Sequence, residues 1–413
     1  MPKAHRAVTG LAFGCVLGLT VAGAASAATL FVDPAGDDAD DCLSPVTACA
    51  TLQAAVDKSS TDDQILLAPG TYAERVEIND RDGLRVAGLP GVVLVPSPAA
   101  GGEGHVISVV LSRRIELRDL TLTGNGTADF VGGIAVNLSR DVRIASTTVQ
   151  DFGGGGIVVF RDSSVHVNDG KIQRNRFHGL RIDQSDVVVF GSPSVPAPAI
   201  IADNLFSGVI VNGGNVGFRG AVQVTGNQIG ILGEAGEVSN CCGEASLTLR
   251  ENVIGISLRG GHLELRGPAL IEANQVGVRL NGTSGVFGRF STERVVVRNN
   301  GVEGNPTSAG VFLTGSHLDL FTTDVVGNRS RGVLLQDNSS LRLFDALVAD
   351  NGAEGVRVEA LSSARLLDPT ILENNGGFDL SCAPSSFATG DASGVQRKFC
   401  PGFEAAPRPS PRP

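Results

Sequence analysis

The chain has 413 residues, a formal net charge of −10, 54 Gly, one Met and no Trp. Aromatic residues make up 5%, so the apolar content is mostly Val, Ile, Leu and Ala, a mixture that suits short strands joined by tight turns and argues against a helical bundle. Lys occurs only at positions 3, 58, 171 and 398, and Arg is scattered along the chain; an acidic protein without a basic block is excluded as a partner of nucleic acid, whose binding rests on phosphate neutralisation.

In chain order, residues 1–27 read as a signal peptide. Lys3, His5 and Arg6 give a charged start, Leu11 to Ala25 an apolar run, and Ala25-Ser26-Ala27 a small-residue cleavage site. The run is too short for a comfortable membrane span and no transmembrane segment follows it. Cys15 lies inside it, without the residues of a lipidation site before it. The expectation is an exported protein, secreted or held in the periplasm or at the cell surface. Cleavage leaves six Cys, at 42, 49, 241, 242, 382 and 400, an even number that suits disulfides outside the cytosol. Proximity favours Cys42–Cys49 and Cys382–Cys400. The adjacent Cys241 and Cys242 fit either a vicinal disulfide or two thiols.

Residues 28–80 read as an N-terminal cap. ATLFVDP is a strand; TLQAAVDKS is a short amphipathic helix with Leu52, Ala55 and Val56 on one face, placed to lie as a lid over an open core. Asp37, Asp38, Asp40 and Asp41 offer carboxylate oxygens that could suit Ca²⁺, although such runs are more often solvated turns. No cofactor is expected.

Residues 81–380 carry a repeat. A glycine followed by apolar, any and apolar residues recurs at Gly133, Gly156, Gly179, Gly208, Gly255, Gly277, Gly310, Gly332 and Gly355, with imperfect or degraded copies at Gly104, Gly230 and Gly377. Seven of the eleven intervals are 22 or 23 residues, and the others are that period plus a short insertion. Such a period with alternating apolar positions predicts one coil of three short strands, stacked into a rod about 55–60 Å long at about 4.8 Å per coil. Asn175, Asn204, Asn227, Asn252, Asn274, Asn305, Asn328, Asn351 and Asn374 precede the glycines by three to five residues. They are expected to form a hydrogen-bonded amide ladder, with glycine supplying a positive φ at the corner. Residues 381–402 break the period and read as a disulfide-closed end plug. Residues 403–413 form a Pro-rich disordered tail.

The run from Thr29 to Ile78, with VDPAGDDADDC, SPVTACATLQAAVD and ILLAPGTYAERVEI, resembles the N-terminal cap of bacterial exported right-handed parallel β-helix repeat proteins of the pectin-lyase-like superfamily. The coils resemble that superfamily's architecture. The resemblance implies an all-β solenoid; its activities on acidic polysaccharides are too varied to carry over. The hydrolase branch's paired-Asp, Gly-His-Gly and Arg-Ile-Lys strings and the epimerase branch's Asp-Pro-His are absent, and no catalytic residue is assigned.

The residues pointing outward from the Gly-led strand fall into columns. One runs Ala135, Val158, Arg181, Ile210, Leu232, Ser257, Arg279, Phe312, Leu334, Arg357; the next runs Asn137, Phe160, Asp183, Asn212, Glu234, Arg259, Asn281, Thr314, Gln336, Glu359. A ligand on this face would meet Arg181, Asp183, Asn212, Glu234, Arg259, Arg279 and Asn281, with Arg gripping carboxylates and Asp183 or Glu234 available as acid or base. The bland alternative is a solvated sheet face. Absence of Trp, and a Tyr only at position 72, weighs against sugar binding, since sugar sites use large amphipathic rings. The apolar members of the columns suggest a contact surface, for self-association or a cell-surface partner. No His pair has metal-ligand spacing, so no metal is expected. The functional expectation is an exported scaffold presenting a binding face. The alternative is a lyase, hydrolase or epimerase acting on an acidic polysaccharide.

Overall fold

The computed structural model describes residues 27–97, 103–126, 130–192, 198–240, 246–289, 293–305, 307–401 and 403. Residues 1–26 of the expected signal peptide, with Cys15, the pair Cys241–Cys242, and the tail beyond residue 403 lie outside the described residues. The described chain is a parallel β-solenoid of about 13 turns. Every strand pair is parallel, and residues of one coil pair with their counterparts one repeat later, as in Ile157↔Leu180, Leu180↔Val209 and Val209↔Ile231. Fourteen strands stack into the first face, from Val76–Asn79 at one end to Lys398–Phe399 at the other. The second and third faces belong to one continuous sheet, because strands such as Asn215–Thr225 run unbroken around the corner between them.

Period-two alternation builds the interior. Val209 and Val211 are buried, and so are Ile256 and Leu258 two coils on. The aliphatic columns merge into a single core from Leu30 to Phe403. Thr29–Val32 pairs with Gln64–Leu67, and Gln64–Leu67 with Arg85–Gly88, so the N-terminal strands share the sheet of the coils. The helix Leu52–Lys58 buries Leu52, Ala55 and Val56 against this end. Thr51 Oγ1 caps it by accepting from Ala54 N, and the Glu74 carboxylate accepts from the N–H groups of Leu52 and Gln53 at 2.9 and 3.0 Å. Burial raises the Glu74 carboxyl above its ordinary value, against those hydrogen bonds. Disulfides join Cys42 to Cys49 and Cys382 to Cys400.

The amide ladder is present, with two of its members corrected. It runs through Asn175, Asn204, Asn227, Asn252, Asn274, Asn300, Asn328, Asn351 and Asn375, all buried. Each Oδ1 accepts the backbone N–H of the preceding Asn at 3.0–3.1 Å and its Nδ2 at 2.8–3.1 Å. The second Nδ2 hydrogen goes to a core-strand carbonyl, as from Asn274 to Leu249. Every buried polar atom of the ladder amides is therefore paired. Asn305 and Asn374 are exposed instead. The residue before each ladder Asn takes a positive φ, and Asn374 is one of these, at 55°.

The repeat glycines also need a different explanation. Gly156, Gly179, Gly208 and Gly255 do not have positive φ. A Cβ on Gly179 would lie 2.7 Å from both Asn204 Nδ2 and the Gly208 carbonyl; on Gly255 it would lie 2.5 Å from the Gly277 carbonyl. Glycine is needed there because one coil's backbone presses on the next coil's ladder.

The chain of amides is directional and must end on an acceptor. Asp379 supplies it: Oδ1 accepts from Asn375 N and Nδ2 at 3.1 and 2.8 Å, and Oδ2 from Arg397 N at 2.7 Å. Burial alone would raise the Asp379 carboxyl, but these bonds and the Arg397 charge hold it below its ordinary value. A second column at the corner between the first and second faces links Ser112, Ser139, Ser163 and Ser185, then Thr283, Ser316, Ser339 and Ser362, each N–H donating to the next hydroxyl at 3.1–3.2 Å. Gly214, Gly236 and Gly261 take the same place in the coils between.

Replacing Asn300 by Ala strips the acceptor from two buried donors of Asn274, which should cost on the order of 2–4 kcal/mol. Asn305→Ala should cost under about 1 kcal/mol, since its bonds are exposed. Denaturant melts of the two variants check the assignment; equal losses would contradict it.

Candidate functional site

The first face displays the two columns in the expected register: Val158↔Arg181↔Ile210↔Leu232↔Ser257↔Arg279↔Phe312 and Phe160↔Asp183↔Asn212↔Glu234↔Arg259↔Asn281. Within them one group of side chains meets. Arg181 Nε lies 2.8 Å from Asp183 Oδ2, and Asn212 Nδ2 donates to Asp183 Oδ1 at 2.6 Å. Glu234, Arg259 and Asn281 continue the column as exposed side chains, with no ion pair among the described residues. Arg279 is drawn aside: its guanidinium lies 5.8 Å from the Phe312 ring centroid, and its Nε is buried without a partner. Further on, Arg331, Glu354, Arg357, Glu359 and Gln336 form a closed polar network beside Leu334, which is 1% exposed although it belongs to the outward column.

The apolar members of the columns, Val158, Phe160, Ile210, Leu232 and Phe312, are only partly exposed, and a more exposed aromatic cluster stands apart from them. That cluster lies at the corner that leads into the first face. Phe177 and Phe206 stack at 5.4 Å, Phe130 meets Phe177 at 5.8 Å, and His178 lies 6.1 Å from Phe206. Phe130 and Phe206 are 63% and 45% exposed. One coil's spacing brings Phe177 and Phe206 together, because both stand two residues before a repeat glycine, in RFHG and LFSG. Phe130 reaches Phe177 across a coil that has only glycine there, Gly153 to Gly156. A sequence search for Trp and Tyr on strand columns passes over this corner; phenylalanine recurring just before the repeat glycine was the available signal.

His178 joins the aromatic corner to the polar cluster. Its Nδ1 is 2.5 Å from Ser207 Oγ. Burial, helped by the Arg181 charge and opposed by Asp183, pushes its imidazole down to about 4. His105, at the N-terminal side of the same face, is likewise pushed down to about 4 by burial and by Arg75. Both rings are therefore neutral near pH 7, able to accept or donate a hydrogen bond.

At the cap, the aspartates considered for calcium are engaged in turns. Asp38 accepts from Thr51 N and Oγ1, Asp41 from Leu43 N and Thr47 Oγ1, and the Lys58 ammonium holds the carbonyls of Asp38 and Asp40. Among the described residues no three His, Cys, Asp or Glu side chains converge on a metal position. No helix among them is long and apolar enough to cross a membrane.

Residues 229–390 match the family described as right handed beta helix region. The described chain folds as a right-handed parallel β-helix. Among solved structures, this β-helix is similar to the A-module of an Azotobacter vinelandii mannuronan C-5 epimerase, with 16% identity over 84% of this chain and 86% of the other and a TM-score of 0.44. It is also similar to a periplasmic alginate epimerase, with 14% identity over 82% and 77% of the two chains and a TM-score of 0.38. For an alginate lyase from a Paenibacillus species the values are 14% identity, 90% and 99%, and a TM-score of 0.30. No curated protein matches the sequence significantly.

Because the folded His178 binds its proton less readily than the unfolded chain, its contribution to stability is complete above about pH 6.5 and is lost as pH falls toward 4. In an NMR titration its ring signals should move near pH 4. A midpoint near 6.5 would contradict the burial described.

Proposed function

We propose that the protein is an exported β-helix scaffold that holds an extended sugar chain along its first face and the adjoining aromatic corner. The observation that carries this reading is the strip of Phe130, Phe177 and Phe206 beside the bonded group Arg181, Asp183 and Asn212. Sugars have apolar ring faces and polar rims, and an aromatic strip edged by a few fixed polar groups matches both. An exposed aromatic patch of this kind is a mark of an interaction surface. The two disulfides support export to an oxidising compartment. The stacked face presents groups at a regular interval, which suits a polymer better than a compact ligand.

A second reading is a lyase, hydrolase or epimerase on an acidic polysaccharide. Neutral His178 within the field of Arg181 and Asp183 favours it, since a neutral imidazole beside a carboxylate and a guanidinium can move a proton at a substrate carbon or oxygen.

Binding to a panel of uncharged and acidic glycans, followed by assays for reducing ends and unsaturated products, tests both. The double change Phe177→Ala and Phe206→Ala should weaken binding at least about tenfold, a loss of 1.4 kcal/mol or more. Failure of the wild-type protein to bind any glycan would overturn the proposal. Product formation abolished by Arg181→Ala or Asp183→Ala would favour the enzymatic reading.

A further inference from the structure

At the edge of the first face, the position just before the repeat glycine, whose place Val106 takes in the first of these coils, is occupied in successive coils by His105, Gly132, Gly155, His178 and Ser207. The stacking follows from His105↔Gly132, from Gly133 N donating to the Gly155 carbonyl at 3.1 Å, and from Gly156 N donating to the His178 carbonyl at 2.9 Å. Most glycines nearby are required by packing. A Cβ on Gly132 would lie 2.6 Å from the His105 ring, on Gly154 2.9 Å from the Phe130 carbonyl, and on Gly156 2.6 Å from the Gly179 carbonyl. Gly155 is different. Its φ is not positive, it is partly exposed, and a Cβ there would make only ordinary contacts of 3.5 Å with the His178 carbonyl and Val158 Cγ2. Neither backbone conformation nor crowding demands glycine at this place, yet the coil is bare there.

What surrounds the bare coil is specific. His105 leans over Gly132 on one side and His178 stands on the other, three coil spacings or about 14 Å away along the backbone, a span that the lean of the His105 ring shortens. The Phe130 and Phe177 rings meet across the same coil at 5.8 Å. Nε2 of His178 has no partner among the described residues, and its Nδ1 is fixed by Ser207. Arg181 is neutralised by Asp183, and both imidazoles are uncharged near pH 7.

We infer that the gap at Gly155, walled by Phe130 and Phe177 and flanked by His105 and His178, is a subsite for one uncharged sugar ring of a longer chain. The inference rests on the sugar-chain reading above and narrows it from acidic to uncharged glycans. The ring face lies on phenylalanine, and hydroxyls exchange hydrogen bonds with the imidazoles. Arg181 is already paired with Asp183, so a carboxylate beside His178 would lose its hydration without gaining that charge.

Titration calorimetry with cellotetraose, maltotetraose and tetragalacturonate, at low and high NaCl, tests it on the wild type, Gly155→Leu and Phe177→Ala. An uncharged tetrasaccharide should bind the wild type with a Kd that does not change with salt. Gly155→Leu should raise that Kd at least about tenfold while the unfolding midpoint stays near the wild-type value. Phe177→Ala should weaken every glycan that binds. If Gly155→Leu binds like the wild type, or if tetragalacturonate binds best and weakens with salt, the subsite is wrong while the broader reading survives. If the wild type binds none of the three and no glycan of the wider panel, both fall.

Discussion

Each strand of this protein hydrogen-bonds to the equivalent strand one repeat later, which fixes a spacing of about 4.8 Å between like positions. That spacing places each Asn Oδ1 within reach of the Nδ2 and N–H of the one before it. The amide column then works back on the backbone: a slip of one residue would bury unpaired amides and turn the aliphatic side chains outward together. Register, core and ladder are therefore mutually dependent. The ends follow from the same constraint. The helix Leu52–Lys58 closes one end of the core. At the other, a carboxylate accepts the last donors, because an amide there would need a further partner for its own N–H groups. Asp379 and Arg397 meet that need, and the Cys382–Cys400 disulfide ties the closing segment to the last coil.

Much of this was legible because a repeat converts sequence position into spatial position. Counting from Gly179 and Gly208 aligned Arg181 with Ile210 and Asp183 with Asn212, and those residues are partners in the sheet. The errors fall where the count is ambiguous. At Asn299-Asn300 and Asn374-Asn375 two amides are adjacent, and only the backbone decides which enters the ladder: the first takes the positive φ and the second is buried. Distance to the next glycine misled near Asn305, because the turn from Gly301 to Ser308 lengthens that corner. The repeat glycines were attributed to φ when the cause is the neighbouring coil. The serine column was missed because its members are interrupted by Gly214, Gly236 and Gly261, which hide the regularity.

The candidate surface was less legible for a physical reason. Strand columns can be enumerated from alternation, but the corner is formed by turn residues whose neighbours depend on how the chain bends. Phe130 and Phe177 belong to coils that are not adjacent, and they touch only because the intervening coil is glycine. The polar group Arg181, Asp183 and Asn212 was visible in the columns, whereas its aromatic neighbours and His178 were not. The same scaffold logic separates stability from recognition. Inward positions and ladder amides admit little change, while the outward edge can vary coil by coil, so that a single bare coil beside two phenylalanines breaks the uniformity of the rod.

The central claim is that the buried amide column locks the register of the coils. Native-state hydrogen exchange measures it most directly. The backbone N–H groups of Asn227, Asn252, Asn274 and Asn300 should exchange as slowly as those of the core strands, through global opening alone. Exchange of these corner amides at the rate of the exposed turns, with the strands still protected, would contradict the account.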